Sequence, residues 1–166
     1  APNKGGDGPR STPSAVGNLV LVFNAQLRLV ALDAASGKEV WAKDLVKEFK
    51  GVNIGWQNAA SPLVDGELVF VAGGGPGESL LAFQTRDGAL AWKSGDEKIT
   101  HASPVAATIG DVRQIIFFVQ SGLVSVAADS GKELWRHAFP YRVSTAASPV
   151  VGGMPPAAGL PVRSWR

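Results

Sequence analysis

Side chains that could recognise a ligand are concentrated in the polar stretches of this 166-residue chain. The longest stretch, 42–59, carries one indole and three amides within six residues, and two later stretches carry an imidazole, a phenol and a guanidinium. Loops held on a rigid scaffold commonly carry recognition. We therefore predict binding loops with the candidate residues Asn53, Trp56, Gln57, Asn58, His101, Tyr141 and Arg142. The alternative is that Trp56 packs beneath its own loop and the polar groups only cap backbone atoms.

Residues that would form a catalytic or metal centre do not converge in the sequence. The acidic residues of these stretches are scattered among lysines, so no catalytic residue is predicted. No cysteine occurs, which excludes disulfides and thiolate metal sites in this segment. His101 and His137 are assigned to different loops; a metal pair stays an open alternative, and no metal site is predicted. The glycine-rich stretch 73–77 lacks the Lys-Ser/Thr of a phosphate-binding loop and is predicted to be a hairpin turn.

Two phrases that recur along the chain indicate the elements that must position these residues. A glycine turn followed four residues later by a tryptophan occurs three times, at Gly37 and Trp41, Gly88 and Trp92, and Gly131 and Trp135. A Pro preceded by Ser or Thr and followed by small or apolar residues occurs four times, with prolines at 13, 62, 104 and 149. A period of roughly 40–50 residues that carries several short strands is typical of β-propeller blades.

Each repeat predicts four antiparallel strands. The Ser-Pro phrase opens the first strand, and an unbroken apolar run, at 19–23, 68–72 and 115–119, forms the second. The third strands are predicted at 27–32, 79–83 and 123–127, and the fourth strands contain the tryptophans. We expect each tryptophan to pack one blade against the next; the alternative is a row of aromatics that stacks bases or sugars. Gly17-Asn18, Asp65-Gly66 and Gly110-Asp111 are the predicted turns between the first two strands.

The predicted fold is therefore all-β, a partial β-propeller with about three four-stranded antiparallel blades and the start of a fourth. The blades are assigned to 11–45, 59–95, 101–138 and 146–151, after a linker or strand remnant at 1–10. The segment 152–166 contains three prolines and no alternation, which predicts an irregular, disordered tail. The alternative for this tail is a docking peptide anchored by Trp165.

Composition limits the classes of partner that the chain is expected to bind. The net charge is +2 and the basic residues are dispersed, so nucleic-acid binding is not expected. No apolar run reaches ~18 residues, so no membrane span is predicted, and residues 1–13 do not form a signal peptide. Because such a blade set leaves a propeller open, we expect either further blades in a longer chain or a second copy to close the ring.

The phrase Ala-Leu-Asp-Ala-Ala-Ser-Gly-Lys-Glu-Val-Trp at 31–41 resembles the tryptophan-docking repeat of the pyrroloquinoline-quinone (PQQ)-like β-propellers. That family includes quinoprotein alcohol dehydrogenases and the outer-membrane assembly lipoprotein BamB, and the chain also resembles secreted bacterial members. Gln84 and Ala127 replace the Asp33 of the first repeat, so only the first turn could be capped by that aspartate. The resemblance implies a ring of seven or eight blades and a periplasmic or secreted location.

From the resemblance we expect a non-catalytic extracytoplasmic propeller that binds a protein or small-molecule ligand, as a scaffold, through loops at one mouth of the channel. No cofactor is evident. PQQ and calcium are expected only if the complete protein is a quinoprotein, and the adjacent cysteine pair of many such dehydrogenases is absent here. The alternative is a fragment of a PQQ- and calcium-dependent quinoprotein dehydrogenase.

Overall fold

The computed structural model describes residues 10–139 and 145–152, which form twelve strands and one short helix in three four-stranded sheets. Within each sheet, every strand pairs antiparallel with its neighbour in sequence, in the orders β1-β2-β3-β4, β5-β6-β7-β8 and β9-β10-β11-β12. We call these sheets blades 1, 2 and 3. This architecture confirms the predicted all-β partial propeller. The elements are β1 Ser14–Val16, β2 Leu19–Phe23, β3 Arg28–Asp33, β4 Glu39–Asp44, α1 Leu45–Glu48, β5 Leu63–Asp65, β6 Leu68–Ala72, β7 Leu80–Gln84, β8 Leu90–Ser94, β9 Val105–Ile109, β10 Val112–Val119, β11 Gly122–Ala127 and β12 Glu133–Ala138.

The hairpin between the first two strands of blade 3 is longer than the sequence suggested. Strand β10 begins at Val112 rather than at the predicted residue 115, and its ladder to β9 extends as far as the pair Val112 and Ile109. The turn uses Gly110 and Asp111, which both have positive φ values of 55° and 63°. In blade 2 the prediction was one residue off, because Asp65 ends the strand and the turn begins at Gly66.

Two apolar cores lie between the blades. The first joins one face of blade 1 to blade 2, and the second joins the opposite face of blade 2 to blade 3. Blade 2 is thus covered on both faces, and its second strand is buried at three consecutive residues. In β2 burial alternates with partial exposure, because the described residues cover only one face of blade 1. β2 carries the same kind of unbroken apolar run as the other second strands, but among the described residues only one of its faces is buried.

The tryptophans of blades 1 and 2 lie against the following blade. The indole Nε1 atoms of Trp41 and Trp92 each donate a hydrogen bond of 2.8 Å, to the carbonyls of Thr85 and Ala128 respectively. Each indole also rests on a glycine of the next blade's final turn. A Cβ built on Gly88 would lie 2.8 Å from the Trp41 ring, and one built on Gly131 would lie 2.5 Å from the Trp92 ring. A glycine is required at both turns for this close approach and for a φ near 70°.

A chain of hydrogen bonds links the proline-containing phrases of successive repeats. The backbone N–H of Thr12 donates to the Ser61 hydroxyl at 2.8 Å, and the N–H of Ser61 donates to the Ser103 hydroxyl at 2.8 Å. The N–H of Ser103 then donates to the Ser148 hydroxyl at 3.1 Å. The serine of each Ser-Pro phrase therefore ties its repeat to the one before, and the fourth phrase takes part in the same way.

Candidate functional site

The connections that could form a binding face meet at one end of the blades. In an antiparallel sheet, the turn between strands two and three lies at the same end as the connection from strand four to the next blade. At this end, the loops 45–62 and 95–104 and the turns 73–79 and 120–121 surround a cavity of about 630 Å³. We call this cavity the mouth cavity. Its lining residues are Val52, Asn53, Ile54, Gly55, Trp56, Gly74, Gly75, Pro76, Asp96, Glu97, Lys98, Ile99, His101 and Gln120.

The mouth cavity brings together three of the residues singled out in the sequence, Asn53, Trp56 and His101. The side chain of Trp56 does not pack beneath its own loop, because 53% of the residue is exposed. The ring nitrogen Nε2 of His101 lies 3.1 Å from the backbone carbonyl of Gln57, and this contact joins the two long loops. Tyr141 and Arg142 lie outside the described residues.

Two predicted residues do not line the cavity. Asn58 is buried, and its Nδ2 donates to the carbonyls of Asn24 and Ala60, both at 3.2 Å. Its Oδ1 accepts from the N–H of Ala60 at 3.1 Å, so Asn58 organises the loop backbone. Gln57 has a positive φ of 64° and contributes its backbone carbonyl to His101. For Asn58, the structure thus agrees with the alternative reading in which the polar residues cap backbone groups.

Three polar side chains that line the cavity hold the loops in place. Asn53 Nδ2 donates to the carbonyl of Ala25 at 2.7 Å, and Gln120 Nε2 donates to that of Ile99 at 3.0 Å. Glu97 accepts from the Ser121 hydroxyl at 2.6 Å and from the Arg136 guanidinium at 3.0 Å. These hydrogen bonds therefore hold the loops and turns around the mouth cavity in place.

Close backbone packing explains the glycine-rich turn at the mouth. The N–H of Gly75 donates to the carbonyl of Phe49 at 2.7 Å, which joins the turn 73–79 to the loop 45–62. A Cβ built on Gly75 would lie 2.4 Å from the carbonyl oxygen of Lys50, and one on Gly74 1.8 Å from that of Glu78. Only residues without a side chain fit in this turn.

The facing loop 45–62 begins with the helix α1. At the N-terminus of this helix, the Asp44 side chain accepts a hydrogen bond from the N–H of Lys47.

A buried carboxylate fixes the base of the same turn. The side chain of Glu78 is 6% exposed and lies 2.6 Å from Lys93 Nζ and 3.4 Å from Lys50 Nζ. The hydrogen bond from Lys93, followed by that from Lys50, holds the pKa of Glu78 below its ordinary value. Because Lys93 belongs to β8 and Lys50 to the loop 45–62, one carboxylate connects three segments.

Metal ligands do not gather among the residues that the structure describes, where no group of three or more His, Asp or Glu side chains could hold an ion. One of the two histidines differs from the prediction. His101 lies in a loop as expected, but His137 lies in strand β12, opposite Leu123 of β11. The assignment of His137 to a loop is therefore wrong.

The apolar lining of the cavity was missed by sequence reasoning. Val52 is 67% exposed and lines the cavity together with Trp56 and with Pro76 of the turn 73–79. An apolar residue in a polar loop was a usable signal, since the rest of the stretch 50–58 is mostly glycine and amides. No helix within the described residues is long and apolar enough to span a membrane.

Comparisons with known proteins agree with this architecture. Residues 2–153 match the family model described as outer membrane protein assembly factor BamB. No curated protein matches the chain. Among solved structures, BamB from Moraxella catarrhalis is similar with a TM-score of 0.52 and 20% identity over 74% of this chain and 34% of that one.

Two further structures are similar in fold. The quinohemoprotein alcohol dehydrogenase ADHIIG from Pseudomonas putida HK5 has a TM-score of 0.60 and 18% identity, over 76% of this chain and 26% of that one. The computationally designed Ika4 protein has a TM-score of 0.53 and 11% identity, over 89% of this chain and 84% of that one. The chain thus spans about a third of the BamB structure and about a quarter of the dehydrogenase. At these identities the similarity concerns the fold alone.

Proposed function

The chain belongs to the PQQ-like β-propeller family whose model is described as outer membrane protein assembly factor BamB, and on this premise we propose that it is a non-catalytic binding module. It holds an apolar segment of a protein partner in the mouth cavity and acts as a scaffold outside the cytoplasm. The protein partner and the extracytoplasmic location are carried over from the family. The use of the mouth cavity is argued from its geometry.

The observation that supports this proposal is that several polar side chains of the mouth cavity are paired within the chain, whereas two large apolar ones are exposed. Asn53 and Gln120 donate to backbone carbonyls, and Glu97 is paired with Arg136, so these groups are already committed. Two large apolar side chains of the lining, Val52 and Trp56, are more than half exposed. Burial of such side chains against an apolar residue of a partner is favourable.

The rigidity of the mouth favours binding by a pre-formed surface. The Glu78–Lys93 ion pair, the Gly75 hydrogen bond and the His101 contact each join a different pair of segments around the cavity. Little conformational entropy is then lost when a partner docks, and the partner contributes most of the ordering cost. A tryptophan in such a setting is the residue type most often found to dominate an interface.

The experiment is a selection from a phage-displayed library of random twelve-residue peptides, with the purified chain as bait and Trp56→Ala as the counter-selection. We expect recovered peptides to carry a large apolar residue and to lose at least ~30-fold in affinity on Trp56→Ala. Leu90→Ala is the matched control, because Leu90 is a large apolar residue, 42% exposed, that lies outside the cavity lining. Peptides that bind both variants as well as the unaltered chain would contradict the proposal.

The second candidate, part of a PQQ- and calcium-dependent dehydrogenase, is favoured by the fold similarity to quinohemoprotein alcohol dehydrogenases. Calcium requires six to eight oxygen ligands, and the described residues contain no cluster of three or more acidic side chains that could hold an ion. This part of the chain therefore does not fit the calcium site such an enzyme would need. Saturable, calcium-dependent binding of PQQ by the full-length protein would establish the second candidate, and a flat titration of that protein with both added would remove it.

A further inference from the structure

A second cavity lies between blades 2 and 3 at the end opposite the mouth, and it is independent of the mouth cavity. Its volume is about 620 Å³. Blade 2 contributes Leu68 and Phe70 to the lining, and blade 3 contributes Ala127 and Ala128. These four side chains are buried or partly buried, so they form an apolar floor. We call this cavity the basal groove.

The rim of the basal groove carries three carboxylates, those of Glu67, Asp111 and Asp129. All three residues are exposed, and their side chains have no hydrogen bond or ion pair within residues 10–139 and 145–152. Asp65, which also lines the groove, differs because its carboxylate accepts hydrogen bonds of 2.6 and 2.8 Å from the Arg113 guanidinium. That pair is neutral overall, so the rim has three uncompensated formal negative charges.

The repeat shows that the packing of the blades does not require these carboxylates. The residue of the first hairpin whose carbonyl accepts from the final turn is Asn18 in blade 1 and Glu67 in blade 2. The residue after the carbonyl that accepts from the indole is Arg86 in blade 2 and Asp129 in blade 3. An amide and a guanidinium at the first junction therefore hold the places of two carboxylates at the second. Asp111 belongs to the hairpin β9–β10, which is longer than its counterparts in blades 1 and 2.

We propose that the basal groove is a second interaction surface, which binds a basic segment of a protein partner through an arginine side chain. Opposite charge selects this partner, because a cation compensates the three carboxylates of the rim. An arginine also suits the apolar floor, since it can bury its alkyl stem there and keep its guanidinium at the polar rim. The guanidinium can donate two parallel hydrogen bonds to one carboxylate, as Arg113 does to Asp65 in the same lining.

The test is a titration of the 166-residue chain into a fluorescently labelled arginine–glycine peptide, followed by fluorescence anisotropy at low ionic strength. The same peptide with citrulline in place of arginine keeps the shape of the side chain and removes its charge. We expect saturable binding of the arginine peptide and at least ~10-fold weaker binding of the citrulline peptide. Removal of two rim charges together, by Glu67→Gln with Asp129→Asn, should weaken binding of the arginine peptide by ~10-fold or more.

A charge-matched control separates the basal groove from the overall charge of the chain. Glu39→Gln with Glu48→Gln removes the same net charge at two exposed residues outside the groove, and we expect it to change the affinity by less than ~2-fold. Urea denaturation verifies that both double variants are folded. No saturable binding, equal binding of the two peptides, or equal losses in the two double variants would each overturn the proposal. These outcomes leave the proposed function untouched, because neither double variant changes a residue that lines the mouth cavity.

Discussion

The two ends of the blades are built by different means. At the end opposite the mouth, the final turns repeat from blade to blade, with the same backbone hydrogen bond from Gly37, Gly88 and Gly131 to the residue four positions earlier. At the mouth, each connection is individual: 45–62 contains a helix, whereas 95–104 contains neither helix nor strand. The repeated end stabilises the sheets against one another, and the variable end is free to carry recognition. Substitutions at the two ends should therefore affect different properties.

The largest effect is expected from Trp92→Ala at the repeated end. Trp92 is 7% exposed and packs on Gly131 and near Phe70, so its removal leaves a cavity between blades 2 and 3. We expect a loss of about 3–5 kcal/mol in the free energy of unfolding, measured by urea denaturation. Trp135→Ala, on the outer face of blade 3, should cost clearly less in the monomer. Equal losses for the two variants would show that burial between blades is not the source of the stability that the repeated tryptophan contributes.

Gly37 and Gly88 allow the effect of the contact with tryptophan to be separated from the effect of the positive φ. Gly37 and Gly88 have φ values of 69° and 70°, so alanine is strained to the same degree at either position. Only at Gly88 would the new Cβ meet the Trp41 ring, at 2.8 Å. We expect Gly88→Ala to lower the free energy of unfolding by about 1–3 kcal/mol more than Gly37→Ala does. Thermal and urea unfolding of both variants measure this difference, and identical losses would contradict the docking role of Gly88.

The strands of the blades were the part that sequence predicted best. Strands β2 and β6 have the predicted bounds, because each is an apolar run closed by a glycine turn on one side. The early start of β10 was missed, because its first three residues include Arg113 and Gln114, which look like loop residues. Arg113 is in fact paired with Asp65 of blade 2 at 2.6 Å, a contact across 48 residues that no local pattern reveals.

The mouth was predicted only as a set of loops. The sequence indicated which stretches meet there, since strand alternation fixes the end at which each connection lies. It did not indicate which side chains face the cavity. Asn58 turns inward to the carbonyl of Asn24, 34 residues away, while Val52 turns outward. These directions depend on contacts between segments that are distant in sequence.

At the mouth, the ion pairs of the buried Glu78 carboxylate should make the free energy of unfolding depend on pH. The folded pKa of Glu78 lies below the ordinary 4.5, so its ion pairs stabilise the fold above that pH and are lost as the pH falls through the folded value. Glu78→Gln should therefore be less stable than the unaltered chain at pH 7, and the difference should shrink below about pH 4.5. Urea denaturation across this range is the measurement. Glu39→Gln, which breaks an exposed pair with Arg28, is the control with little effect.

The smallest effect on stability is expected from Trp56→Ala, which completes the comparison of the two ends. Trp56 is 53% exposed, against 7% for Trp92, and it lines the mouth cavity instead of a junction between blades. Little apolar surface is exposed to water by its removal, so the free energy of unfolding should change by no more than about 0.5 kcal/mol. Urea denaturation measures this. A loss as large as that of Trp92→Ala would mean that the indole supports the loop 45–62 structurally. Unchanged stability together with lost peptide binding would instead assign one tryptophan to the fold and the other to recognition.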